Sequence, residues 1–150
     1  MGKTLQSMGK IPWIFLLAKI GSQENGTMYF LDDLEVYQLA QKFSERIWEI
    51  VDRWESFPKW RIGSQLTEAA DSISSNIAEG YGRYFFKQQI LFCLYARGSM
   101  MECRNWLLKS KRRRLITIDE YDSLMEELRD IHGKLNGYIS KLKRNLRKGK

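Results

Sequence analysis

At 150 residues and 43% hydrophobic content, the chain is long enough for one domain with its own core and too apolar to be disordered over its length. The formal charge of +7, from 25 Lys and Arg against 18 Asp and Glu, implies a polyanionic partner only where it is concentrated. It is concentrated: residues 28–80 hold five basic and ten acidic side chains (−5), whereas residues 81–118 hold nine basic and one acidic (+8).

No stretch reaches the about 20 apolar residues of a membrane span, so no membrane association is expected. Cys93 and Cys103 lie ten apart on one predicted helix, about 15 Å by the helical rise, too far to bridge each other. Reduced, buried thiols fit a cytoplasmic protein, and a single histidine leaves no cluster for structural zinc.

Residues 1–27 differ from the rest. Ile11 to Ile20 form a short apolar run behind Lys3 and Lys10, faintly like a signal peptide but without the small-residue cleavage pattern. Gly21 to Thr27 read as a linker, and Met28 reads as a natural start. The first 27 residues are then an upstream extension, tag-like or disordered, or else a segment whose apolar run packs on the bundle or on a neighbouring subunit. Residues 28–146 form the predicted domain, and 147–150 are a basic tail.

The first helix is predicted over about residues 33–54, capped by Asp32 or Asp33. Leu34, Tyr37, Ala40 or Gln41, Phe43 or Ser44, Ile47, Trp48 and Val51 form its apolar stripe, opposite a solvated charged face. Ser56-Phe57-Pro58-Lys59 breaks the helix. Trp54, Phe57 and Trp60 are expected to plug that end of the bundle. The second helix covers the stretch from Ser64 to Arg83, with Leu66, Ala69, Ala70, Ile73 and Ile77 as one buried stripe. Between them lie Ser72, Ser74, Ser75, Asn76 and Ala78, small enough for another helix to come close. Gly80 and Gly82 are expected to end the helix in the left-handed conformation.

The third helix is predicted from about Tyr84 to Lys111, with two apolar faces: Phe86, Ile90, Cys93, Met100 and Leu107 on one, Phe92, Ala96, Ser99, Cys103 and Trp106 on the other. A monomeric bundle buries one stripe per helix, so two imply packing against another subunit. Arg97 and Arg104 interrupt the first and are expected to pair with carboxylates or lie at its edge. Thr117 and Glu120 make a capping box for a fourth helix running to about Leu146 through Leu124, Leu128, Ile131, Leu135, Tyr138, Ile139 and Leu142.

The stretch Ser75-Asn76-Ile77-Ala78-Glu79-Gly80-Tyr81-Gly82-Arg83, preceded by Ile62 to Leu66 and Ala69-Ala70, resembles the signature of the bacterial four-helix bundle proteins encoded in intervening sequences of 23S ribosomal RNA genes. The accessory variability proteins of diversity-generating retroelements are similar. Leu31 to Tyr37, Gly98-Ser99 and Glu102 extend the match over roughly residues 30–142. The resemblance implies an all-α, antiparallel up-and-down four-helix bundle, a ring-shaped homo-oligomer, a pentamer, and no known enzymatic activity. For the retroelement relatives it implies nucleic-acid binding.

The residues themselves offer little catalytic chemistry. His132 has only Arg129 and Asp130 as near neighbours, and the two residues between Arg129 and His132 fail the four-to-six spacing of HEPN-type ribonucleases. It reads as an exposed helix-four histidine. Asp119, Glu120, Asp122, Glu126, Glu127 and Asp130 are spread around a helix beside basic residues, a solvated face more than a metal site. The Gly80 to Arg83 turn offers amides and an arginine to an anion, but lacks the Lys-Ser/Thr of a P-loop and follows a helix, not a strand. Asn76 and Glu79 are expected to cap that helix end and pair with a base such as Arg83.

What remains is the basic surface: Arg83, Lys87, Lys109, Lys111, Arg112, Arg113 and Arg114, with Lys141, Lys143, Arg144, Arg147 and Lys148 at the far end of the fourth helix. In an up-and-down bundle these fall at its two ends. The expectation is a non-enzymatic oligomer, without cofactor, binding structured RNA or an RNA/DNA hybrid through its phosphates. The competing reading is an oligomeric scaffold for a protein such as a reverse transcriptase, its charge incidental.

Overall fold

The computed structural model describes the backbone of residues 22–23, 27–28 and 30–149. The apolar run at residues 11–20, with the readings placed on it, lies outside the described residues. The chain divides into two units, Met1–Phe30 and Leu31–Lys150. Within the first, Ser22–Gln23 pairs antiparallel with Thr27–Met28, Ser22 opposite Met28 and Gln23 opposite Thr27. This pairing falls in the stretch expected to be a plain linker.

The second unit is all-α, with four long helices: α1 (Glu35–Asp52), α2 (Ser64–Tyr81), α3 (Phe86–Arg112) and α4 (Ile118–Arg147). Among the described residues none of them is long and apolar enough to cross a membrane. Helix packing follows a closed cycle, α1 on α2, α2 on α3, α3 on α4 and α4 on α1, with the α2–α3 interface the most extensive. The core lies along the axis of that cycle.

Periodicity explains which residues reach it. On α1, Val36, Ala40, Phe43, Ser44, Ile47, Ile50 and Val51 are buried at spacings of three and four. Trp48, assigned to that stripe from sequence, is instead 60% exposed, because Ser44 and Val51 take the inward positions on either side of it. The α1 start also differs from expectation. Leu31–Asp33 form a 3-10 turn, and Leu34 is the N-cap residue, its own side chain making no cap hydrogen bond.

On α2 the expected five, Leu66, Ala69, Ala70, Ile73 and Ile77, are all buried. The first helix ends before Ser56 as expected, but the connection to the second is itself helical. The chain leaves α1 at Arg53, and Ser56–Pro58 already form a helical turn that continues through a π-helical turn, Lys59–Gly63, into α2. Pro58 therefore sits in a first turn, where its missing N–H is no loss. Ile62 and Gly63 face inward. Trp54 packs against the core, but Phe57 and Trp60 are 76% and 75% exposed and plug nothing.

The two apolar faces expected on α3 merge into one buried seam. Cys93, Ala96, Met100, Cys103 and Leu107, drawn from both expected stripes, follow each other at alternating spacings of three and four. The outward apolar residues are others: Leu91, Leu94, Tyr95 and Met101, with Tyr84 and Phe85 just before the helix. Arg97 and Arg104 are exposed, and no carboxylate among the described residues pairs with them. On α4, Leu124, Leu128, Ile131, Leu135, Ile139 and Leu142 are buried as their spacing predicts, and the Thr117 box is formed. Glu120 N donates to Thr117 Oγ1 at 3.0 Å, and Thr117 N donates to Glu120 Oε2 at 2.9 Å.

Pairs across the helix interfaces run in opposite residue order. Along α1 and α4, Glu35 meets Lys134, Arg46 meets Glu127, and Arg53 meets Glu120. Between α1 and α2, Ser44 Oγ donates to the Asp71 carboxylate, while Val51 stands against Gly63. Exposed or half-buried, these ion pairs remain within reach of water and add little stability each.

Candidate nucleic-acid interface

The α3–α4 connection gathers five cations on a short stretch of backbone. α3 ends in a Schellman motif: Leu115 N donates to Ser110 O at 2.9 Å and Arg114 N to Lys111 O at 3.0 Å. The motif needs a left-handed residue, and the one there is Arg114, at φ 59°. Glycine is the usual occupant, since a side chain costs about 1 kcal/mol in that conformation. Arg114→Gly is accordingly expected to raise unfolding stability by about 0.5–1 kcal/mol in a denaturant titration. An unchanged or lower midpoint would mean the arginine makes a compensating contact.

Lys109 Nζ lies 4.5 Å from the Trp106 ring centroid and Lys111 Nζ 3.9 Å from that of Tyr121, so both ammonium groups rest on aromatic faces. Arg112, Arg113 and Arg114 are exposed, and no carboxylate among the described residues pairs with them. Lys111, Arg112 and Arg114 line an open concavity with Leu115, Ile116, Thr117, Ile118 and Glu120. Glu120 is occupied by the cap and by Arg53, which approaches it at 3.4 Å.

The other predicted cations form no equally compact group. Lys87, Lys141, Lys143, Arg144, Arg147 and Lys148 are exposed. Lys134 is tied to Glu35 at the start of α1, so Lys141 to Lys148 lie about 10 Å or more further along α4. Arg83 is already engaged: its guanidinium pairs with Glu79 one turn back and lies 4.9 Å over the Phe92 ring. Gln89 Nε2 donates to Arg83 O at 2.7 Å, closing the α2–α3 turn.

The signature residues around that turn act by packing. Gly80 is inside α2, and Gly82 has an ordinary φ of −72°, so neither takes the left-handed conformation expected of it. Gly82 N donates to Ala78 O and Arg83 N to Gly80 O, which leaves those amides no free hydrogen for an anion. Asn76 Nδ2 donates to Ser72 O at 2.8 Å within α2 and caps nothing. The Glu79–Arg83 pair is formed as expected.

Burial pushes the Cys93 thiol up to about 11 and, with Glu102 and Asp71 adding to it, the Cys103 thiol up to about 12. Both are therefore protonated at neutral pH and poor nucleophiles. His132, expected to be exposed, is half-buried, with the Asn136 amide 3.4 Å from its Nε2. Among the described residues no three His, Cys, Asp or Glu converge on a point that would hold a metal ion.

The α1–α2 connection is what the sequence reading missed at this end of the unit. Arg53 reaches the first turn of α4, and Phe57, Trp60 and Arg61 are exposed beyond it. Steps of three and four back from Leu66 reach Gly63 and Ile62, and the next reach Trp60, Lys59 and Pro58, so periodicity leaves Phe57 and Arg61 off the stripe but puts Trp60 on it. The π-helical turn Lys59–Gly63 is what changes the phase there.

The sequence model of a family described as 23S rRNA-intervening sequence protein matches residues 32–137. A crystal structure from Bacteroides thetaiotaomicron, described as a protein with unknown function from the S23 ribosomal protein family, is similar in fold, with a TM-score of 0.65 at 23% identity. The likeness covers 69% of this chain and 97% of that one. No curated protein matches the chain.

Proposed function

The chain belongs to the 23S rRNA-intervening sequence protein family, and from that premise we propose that it is a non-enzymatic, homo-oligomeric bundle that binds nucleic acid through its basic surfaces. The observation that carries this reading is the cluster of Lys109, Lys111, Arg112, Arg113 and Arg114, whose three arginines are exposed and pair with no carboxylate among the described residues. Five neighbouring cations on one helix end exceed what capping the negative end of α3 requires. Phosphates neutralised by such a group release counterions, which supplies affinity without reading bases.

The opposite residue order across α1–α4 and α1–α2 supports an up-and-down antiparallel arrangement. Self-association is supported by the outward Leu91, Leu94, Tyr95 and Met101 of α3, an apolar row larger than single exposed residues usually make; a ring of five is what the family resemblance implies. The bound species in this reading is a structured RNA or an RNA/DNA hybrid held in the cytoplasm.

A salt series tests it. The full chain is titrated onto a hairpin RNA while the oligomer mass is followed in the same buffers. Log affinity is expected to fall linearly with log salt, with a slope of about −3.5 to −4.5 if the five cations each meet a phosphate. No binding at low salt would overturn the reading and leave the scaffold for a protein partner such as a reverse transcriptase.

A further inference from the structure

We infer that the same end of the unit is a platform for unpaired nucleotides, with Phe57 and Trp60 stacking on bases while Arg112, Arg113 and Arg114 hold the phosphates. This rests on the nucleic-acid reading above and narrows it to single-stranded segments.

Phe57, Trp60 and Ile118, at 76%, 75% and 68%, are the most exposed large apolar side chains among the described residues. All three lie at one end. Arg53, at the end of α1, stands 3.4 Å from Glu120 in the first turn of α4, which places the α1–α2 connection beside the α3–α4 connection. The backbone holds the two rings outward. Pro58 fixes the turn between them, and the π-helical turn Lys59–Gly63 adds a residue per turn, so that Ile62 and Gly63 take the inward places.

Leaving two aromatic rings in water forgoes burial that the core could have provided, so such rings mark a contact. Their surroundings name its chemistry. Arg61 is exposed beside Trp60 with no carboxylate partner among the described residues, and the arginine cluster lies across the same end. Aromatic faces interleaved with cations suit single strands, whose bases offer free π-faces and whose backbone offers regularly spaced phosphates. A duplex hides its base faces and can use the cations only.

The test compares a labelled uridine homopolymer of about 16 nucleotides with a blunt RNA duplex of the same length, each titrated with the full chain. Wild type is expected to prefer the single strand. Phe57→Ala with Trp60→Ala is expected to lose about 30-fold or more in affinity for the homopolymer, with duplex affinity, melting temperature and oligomer mass unchanged. Phe57→Tyr with Trp60→Tyr is expected to recover most of the lost affinity. Equal loss for both probes, or no loss for either, overturns the stacking role. A drop in oligomer mass assigns the rings to a contact between copies and also overturns it. Wild type that binds duplex without preferring the single strand removes this inference and leaves the basic-surface reading standing, whereas binding to neither probe removes both.

Discussion

Arg112→Glu, Arg113→Glu and Arg114→Glu together are expected to lower affinity for structured RNA by about 1,000-fold or more at low salt, while helix content and oligomer mass stay as in wild type. The three guanidinium groups are exposed at the end of α3 and the Schellman turn, where they make no ion pair among the described residues that their loss would break. Their contribution to folding is therefore limited to the favourable placement of cations at a helix C-terminus, about 0.3–1 kcal/mol each. Reversal turns that into a comparable cost, which lowers the melting temperature without unfolding the bundle. Binding responds far more strongly, because three phosphate contacts become three repulsions. The slope of log affinity against log salt is expected to shrink by about 3, one per lost contact. Unchanged affinity in the triple variant would move the interface to Lys141, Lys143, Arg144, Arg147 and Lys148, and the same reversal made there would locate it.

Helix positions were legible because the buried residues of α2 and α4 repeat at three and four with few competitors, so a single face could be read directly. α3 resisted the same reading. Apolar residues surround it, and periodicity alone cannot tell Cys93 and Ala96, which are buried, from Leu91 and Leu94, which are not. What decides between them is which neighbouring helix each one faces, a property of the assembled cycle. The aromatic residues near Pro58 failed for a related reason. Hydrophobicity argued for burial, and α-helical phase extended back from Leu66 also puts Trp60 on the inward stripe, but the π-helical turn Lys59–Gly63 shifts that phase and both rings stand outward. The basic cluster was legible as composition, whereas its freedom from carboxylate partners, and the engagement of Arg83 by Glu79, depend on distances between side chains.

Gly80→Val is expected to destabilise the bundle by about 3 kcal/mol, while Gly82→Ala, two residues on, is expected to change stability by no more than about 0.5 kcal/mol. The two glycines share the signature but not the constraint. A Cβ on Gly80 would stand 2.8 Å from Phe92 Cβ and 3.2 Å from Gln89 O, atoms at or next to the α3 backbone that cannot swing aside. The added methyl groups therefore force α2 and α3 apart at the most extensive interface of the unit. At Gly82 the nearest atoms are carbonyl oxygens at 3.6 and 3.8 Å, and the φ of −72° suits any residue. For a chain of this size, about 3 kcal/mol corresponds to a fall of about 10 °C in melting temperature. Gly80 lies inside the helix, so without crowding Gly80→Ala would stabilise it by its better propensity, about 0.5–1 kcal/mol. Crowding predicts the opposite sign. The two accounts separate further in a double-mutant cycle with Phe92→Gly, which removes the opposing Cβ: a coupling of about 1 kcal/mol or more between Gly80→Ala and Phe92→Gly marks close approach of the two helices, and additivity marks its absence.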